Sequence, residues 1–176
     1  ELGHSVLQRT PEYGSVGNEI APVYLRGILE HYLQVPHPDL LEERTRGFAR
    51  LGRLVPERAL RGALERRAAH TERINRIFDR VDVLVTPVTG VPPLPLGRWR
   101  GQGALRTSIG MSRLYPFTAV WNYTGQPAAT VPAGFTTDGL PLGAMLIVPP
   151  NREDLILSIA AQLEEALNWT ASLPTI

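Results

Sequence analysis

Between Asn18 and Val35 the apolar residues Ile20, Val23, Tyr24, Ile28, Leu29, Tyr32 and Leu33 recur at steps of three and four. That spacing lays them along one side of an α-helix, and Pro36-His37-Pro38 ends it. Asp39 is placed to cap a second helix running to about Leu54, and Pro56 suits the first position of a third. From Pro56 to about Arg80 the face is Leu60, Ala63, Leu64, Ala68, Ile74, Ile77, Phe78 and Val81. Glu72 and Arg76 form an i,i+4 pair on the opposite side. His70 lies among charged neighbours, which favours a surface or hydrogen-bonded structural role.

The pattern then changes period. Val81-Asp82-Val83-Leu84-Val85-Thr86 is short and β-branched, the mark of a buried, parallel strand. A Pro- and Gly-rich loop follows from Thr89 to about Arg106, with Trp99 between Arg98 and Arg100. A solvated loop pinned by one aromatic accounts for that triplet, and ligand contact is the alternative. Residues 112 to 124 fit a helix, Ala128 to Val131 a strand broken by Pro132-Ala133-Gly134, and Asp138-Gly139 a tight turn. Leu142 to Val148 reads as the next strand. Asn151 is expected to cap a last helix whose buried face is Leu155, Ile156, Ile159, Ala160, Leu163 and Leu167. At the other end, Leu2-Gly3-His4 looks like a helix terminus leading into a strand at Ser5-Val6-Leu7. Such an abrupt start implies sequence upstream. Helices alternating with strands predict an α/β layer fold.

Composition narrows the function more by what it lacks. A net charge of +1, with acids and bases alternating along helices, argues against nucleic acid as a partner. Cysteine is absent, which removes disulfides and thiolate metal sites and suits a cytoplasmic protein. No apolar run approaches the roughly 20 residues that span a bilayer, so no membrane is expected. All 18 basic residues other than histidine are arginine. A mechanism that needs a lysine amine therefore cannot be run by this chain alone.

The familiar catalytic arrangements are also missing. The serines at 5, 15, 108, 112, 158 and 172 are scattered outside any Gly-x-Ser-x-Gly, and the four histidines lack metal-ligand spacing. Adjacent acids such as Glu42-Glu43 and Glu164-Glu165 point apart on a helix and make no facing carboxylate pair. There is no phosphate-binding Gly-rich loop.

An ordered set of short motifs carries more. Asp82-Val83-Leu84-Val85-Thr86-Pro87 is followed by Phe117-Thr118, Asn122-Tyr123-Thr124-Gly125-Gln126-Pro127-Ala128, Val131-Pro132-Ala133-Gly134-Phe135 and Asp138-Gly139-Leu140-Pro141. Then come a strand and a helix containing Ala160-Ala161-Gln162-Leu163-Glu164, with Trp169 near the end. In this order, over at least residues 57 to 170, the chain resembles the C-terminal part of the amidase signature family. The resemblance implies a fold in which residues 1 to 176 are one segment of a single amidase domain. About 18 to 80 would be helical, and about 81 to 170 would form part of a mixed β-sheet flanked by helices, with a pocket wall.

The resemblance also implies a reaction: hydrolysis of a carboxamide by a serine nucleophile, a second serine in a cis peptide and a lysine base. In the family these lie upstream of the matching region, and this sequence holds no Ser-Ser pair and no lysine. The chain alone is therefore expected to be inactive and to contribute no catalytic residue. It would need no metal or organic cofactor. Its expected partners are a small amide substrate and the missing N-terminal portion, or a second copy covering an open sheet edge. Thr86 and Pro87 at the strand end, with Tyr115, Phe117, Trp121 and Asn122, are the candidate pocket residues. Two of Phe117, Trp121 and Tyr123 are expected in the core instead, and Asn122 to brace the following turn. A non-catalytic binding or assembly module and a subunit of a tRNA-dependent amidotransferase remain as alternatives.

Overall fold

The computed structural model describes residues 2–169. Helix α1 (Gly17–Gln34) packs against α2 (Glu43–Arg53) and α3 (Glu57–Asn75), which tightens into a 3₁₀ turn at Arg76–Asp79. Strand β1 (Leu84–Pro87) follows. Helices α4 (Ala104–Leu114) and α5 (Ala119–Thr124) precede strands β2 (Ala128–Phe135) and β3 (Pro141–Ile147), and α6 (Glu153–Leu167) closes the described chain. Among the described residues no helix is long and apolar enough to cross a membrane.

The three strands form one sheet in the order β1-β3-β2, antiparallel throughout. The parallel pairing expected for β1 is therefore corrected. Leu84 lies opposite Ile147 and Pro87 opposite Ala144. The strand is also not buried on both faces, because Leu84 is covered while Val85 is 58% exposed. A run of apolar residues reads the same either way, and the partner that decides direction lies 60 residues downstream.

The core sits where the helices meet this sheet. Ile74 and Ile77, Leu84, Met145 and Ile147 pack with Val16, Val120, Trp121 and Tyr123. Burying each large aliphatic side chain is worth about 1.5–3 kcal/mol. Central β3 is covered on both faces, since Met145, Leu146 and Ile147 are all buried. Gly52 sets the approach of α2 to α1: a Cβ there would overlap the Leu25 carbonyl oxygen and lie 3.0 Å from the Leu29 Cβ.

Several local expectations change. Residues 4 to 13 form no strand; His4 instead hydrogen-bonds Gln162 of α6 at 2.8 Å. Asp39 falls inside a 3₁₀ turn, and α2 starts after Glu42. Pro56 precedes the first helical residue of α3 with extended backbone. Residues 112 to 124 are two helices, since Tyr115 and Pro116 separate α4 from α5. Pro132-Ala133-Gly134 shifts the register of β2 without ending it. Asn151 takes a left-handed φ of 62°, so α6 begins after Arg152, whose guanidinium binds Asp154. Of the apolar face expected for α6, only Ile156 is fully buried and Leu167 is 57% exposed. The Asp138-Gly139 turn forms as expected: Gly139 donates to the Thr136 carbonyl at 3.0 Å with a φ of 79°.

Candidate functional site

Pro87 has no N–H to give the ladder, and β1 ends there. Val88 still donates to the Gly143 carbonyl at 3.2 Å, and Gly90 donates to the Leu114 carbonyl at 2.9 Å. The loop after β1 is thereby fastened to the hairpin on one side and to the end of α4 on the other. Two glycines permit the fit. A Cβ on Gly143 would lie 2.9 Å from the Thr130 methyl and 3.1 Å from Val88. One on Gly90 would lie 2.7 Å from the Arg113 carbonyl oxygen.

Further along, the loop folds back through its own turns. Arg100 donates to the Gly97 carbonyl at 2.8 Å, and Gln102 donates to Trp99 through its backbone and to Arg98 through its side chain. The Trp99 ring lies directly on the Cα of Gly110 in α4, where any β-carbon would overlap it. Pinned in this way, the loop closes one side of a groove of about 690 Å³, floored by Val88, Thr130 and Gly143. A cavity of about 390 Å³ adjoins it through Trp99, Leu114 and Tyr115. Another of about 460 Å³, reached past Thr89 and Leu142, contains Thr86 and Pro87.

The six candidate residues do not stay together. Thr86 and Pro87 line the last of these cavities, and Tyr115 lines the other two. Phe117 packs half-buried against the core, and Trp121 is inside it at 2% exposure, its ring edge-on to Tyr13 with centroids 6.3 Å apart. Asn122 is exposed on α5. The turn that follows is braced by Thr124, Gln126 and Asn75: Thr124 bonds Gln126, whose amide donates to Asn75 at 2.5 Å.

A second polar cluster lies deeper, between α1, α3 and α5. Arg66 makes a two-pronged ion pair with Glu19 at 2.7 and 2.9 Å, which holds the Glu19 carboxyl below the usual carboxylate range. Buried His70 accepts at Nδ1 from Arg73, 2.9 Å away, so its ring proton belongs on Nε2, 4.0 Å from Glu19. The Tyr123 hydroxyl donates to the Ala63 carbonyl, and burial raises its pKa. These contacts tie three helices together and lie apart from the groove. Among the described residues no serine hydroxyl is hydrogen-bonded to a histidine or a carboxylate, and no cluster of acids and histidines could hold a metal.

Comparison with known proteins places this architecture. A family model described as Amidase matches residues 7–157. The chain belongs to the amidase family. AmiB2 of Mycobacterium tuberculosis, which is named as an amidase, is 39% identical across the whole chain. The 6-aminohexanoate-cyclic-dimer hydrolase of Pseudomonas sp. strain NK87 is 29% identical over 99% of it. A solved 6-aminohexanoate cyclic dimer hydrolase shares the fold with a TM-score of 0.78 over 97% of this chain, at 24% identity. The amidase chain here spans 38% of AmiB2 and 39% of that solved enzyme.

Sequence reasoning located the strand end that opens onto the cavities but missed most of their lining. Thr130, Gly143 and Leu114 come from three elements joined only by the fold. The helical Gly110 was an available signal, because a glycine inside a helix commonly marks a close neighbour.

Proposed function

We propose that this chain is the C-terminal part of an amidase that hydrolyses carboxamides to acid and ammonia. In this reading it supplies a wall of the substrate pocket and the upstream part supplies the chemistry. A serine attacks the amide carbonyl, the nitrogen leaves carrying a proton relayed from that serine, and water then releases the acid. Thr86, Pro87 and Tyr115 face the substrate. Phe117 and Trp121 support them from the core, and Asn122 offers its amide at the rim.

The observation that carries the reading is the family match over residues 7–157 in a chain spanning 38% of a relative's length. The absence of lysine agrees with it, because the base of the proposed mechanism then has to come from elsewhere. The test compares residues 1–176 with the longer protein carrying them, reading ammonia release from small carboxamides. Only the longer protein is expected to turn over. Hydrolysis by residues 1–176 alone at a comparable rate, or none from the longer protein, would sink the proposal.

A further inference from the structure

The Arg98-Trp99-Arg100 triplet has an unusual setting. Four charged residues line the groove of about 690 Å³: Glu42, Arg44, Arg98 and Arg100. Glu42 is already satisfied, since both of its oxygens accept from Arg44 at 2.7 and 2.8 Å. That pair cancels in charge. Arg98 and Arg100 have no acidic partner among the described residues, and Arg98 rests over the Trp99 ring at 5.8 Å. The groove therefore carries an uncompensated charge of two guanidinium groups beside an apolar lining that includes Leu94, Trp99 and Leu114.

Two facts distinguish this from ordinary surface arginines. The segment bearing them is held in place, by the seating of Trp99 on Gly110 and by the turn bonds of Arg100 and Gln102. The cations also line a groove, and that groove shares Thr89, Leu142 and Gly143 in its lining with the cavity containing Thr86 and Pro87. A planar guanidinium matches a carboxylate with paired N–H donors.

We propose that this groove binds a carboxylate carried on an apolar chain. Amide substrates held in this groove then bear an anionic group at the end remote from the scissile bond. The substrate part of this inference rests on the amidase reading; the anion site does not.

The experiment uses the longer protein and two arms. The first compares kcat/KM for adipamate, which has a carboxylate at its far end, with that for neutral hexanamide. Adipamate is expected to be preferred by about tenfold or more. R98Q/R100Q should abolish that preference while leaving hexanamide hydrolysis near the parent rate. R58Q, loss of a guanidinium at an exposed position of α3 outside the groove, should leave the preference intact. The second arm titrates hexanoate against tryptophan fluorescence, with W99F identifying the signal from the groove. Saturable binding that R98Q/R100Q removes, R58Q retains and added salt weakens is expected.

Hydrolysis of both amides with a ratio that R98Q/R100Q does not change overturns the inference and leaves the amidase reading standing. Absence of hydrolysis with arginine-dependent hexanoate binding does the reverse for the anion site. A hexanoate signal absent from the parent protein, or lost equally in R58Q, also overturns the inference.

Discussion

Two glycines on neighbouring helices should respond oppositely to the same added methyl group. Gly27 lies inside α1 with no atom within 4 Å of where a Cβ would stand. G27A gains helix propensity at no steric cost, worth about 0.5–1 kcal/mol. Gly52 lies one residue from the end of α2, where that gain is smaller. Its new Cβ would overlap the Leu25 carbonyl oxygen and stand 3.0 Å from the Leu29 Cβ and 3.1 Å from the Leu25 carbonyl carbon. Backbone cannot rotate aside as a side-chain tip can, so α1 and α2 must move apart along their contact. Overpacking of this kind costs about 1–3 kcal/mol, which exceeds the propensity gain. G52A is expected to lose about 1–2 kcal/mol net, roughly 2–8 °C in Tm for a domain of this size, and G27A to rise by roughly 1–4 °C. Thermal and urea unfolding followed by circular dichroism measures both. A G52A protein as stable as G27A would refute the close approach of the two helices.

Two further substitutions probe the deeper cluster. In E19Q the ion pair to Arg66 is lost, with a modest drop in stability because solvent screens the Arg66 side chain, which is 55% exposed. Arg66 lowers the Glu19 pKa below its ordinary 4.5, so the pair stabilises the fold at neutral pH. That contribution disappears as pH falls below 4.5 and through the lowered folded value, so acid should destabilise the parent more than E19Q. Parallel slopes of stability against pH, from about one unit above that ordinary value to about one unit below it, would contradict this. Y123F removes the hydroxyl that donates to the Ala63 carbonyl and should cost about 1 kcal/mol in urea unfolding. An unchanged midpoint would show that the bond contributes nothing net.

Local patterns revealed elements whose cause is local. The face that includes Ile20, Ile28 and Leu29 declares α1, and Asp138-Gly139 declares its turn, because periodicity and φ preference act within a few residues. Capping was harder to read. Asn151 is a good cap by type, yet its left-handed backbone moves the helix start past Arg152, where the Arg152–Asp154 pair forms. Strand direction was beyond reach, since Leu84 and its partner Ile147 are joined only through the fold. At the candidate site the end of β1 led to Thr86 and Pro87. The rest depends on distant encounters: Trp99 with Gly110, Val88 with Gly143, Glu19 with Arg66. Trp121 shows the limit plainly, because an aromatic residue beside a motif can equally be packed inside the protein.

The position of β3 bears on how the chain comes together. Neither β1 nor β2 pairs with the other; among the described residues each pairs with β3, which is synthesised after both. As the chain emerges, β1 is separated from this partner by some 50 residues until Pro141–Ile147 is made. A stop codon just before Pro141 would therefore remove β3 along with α6 behind it, and with β3 every ladder among the described strands.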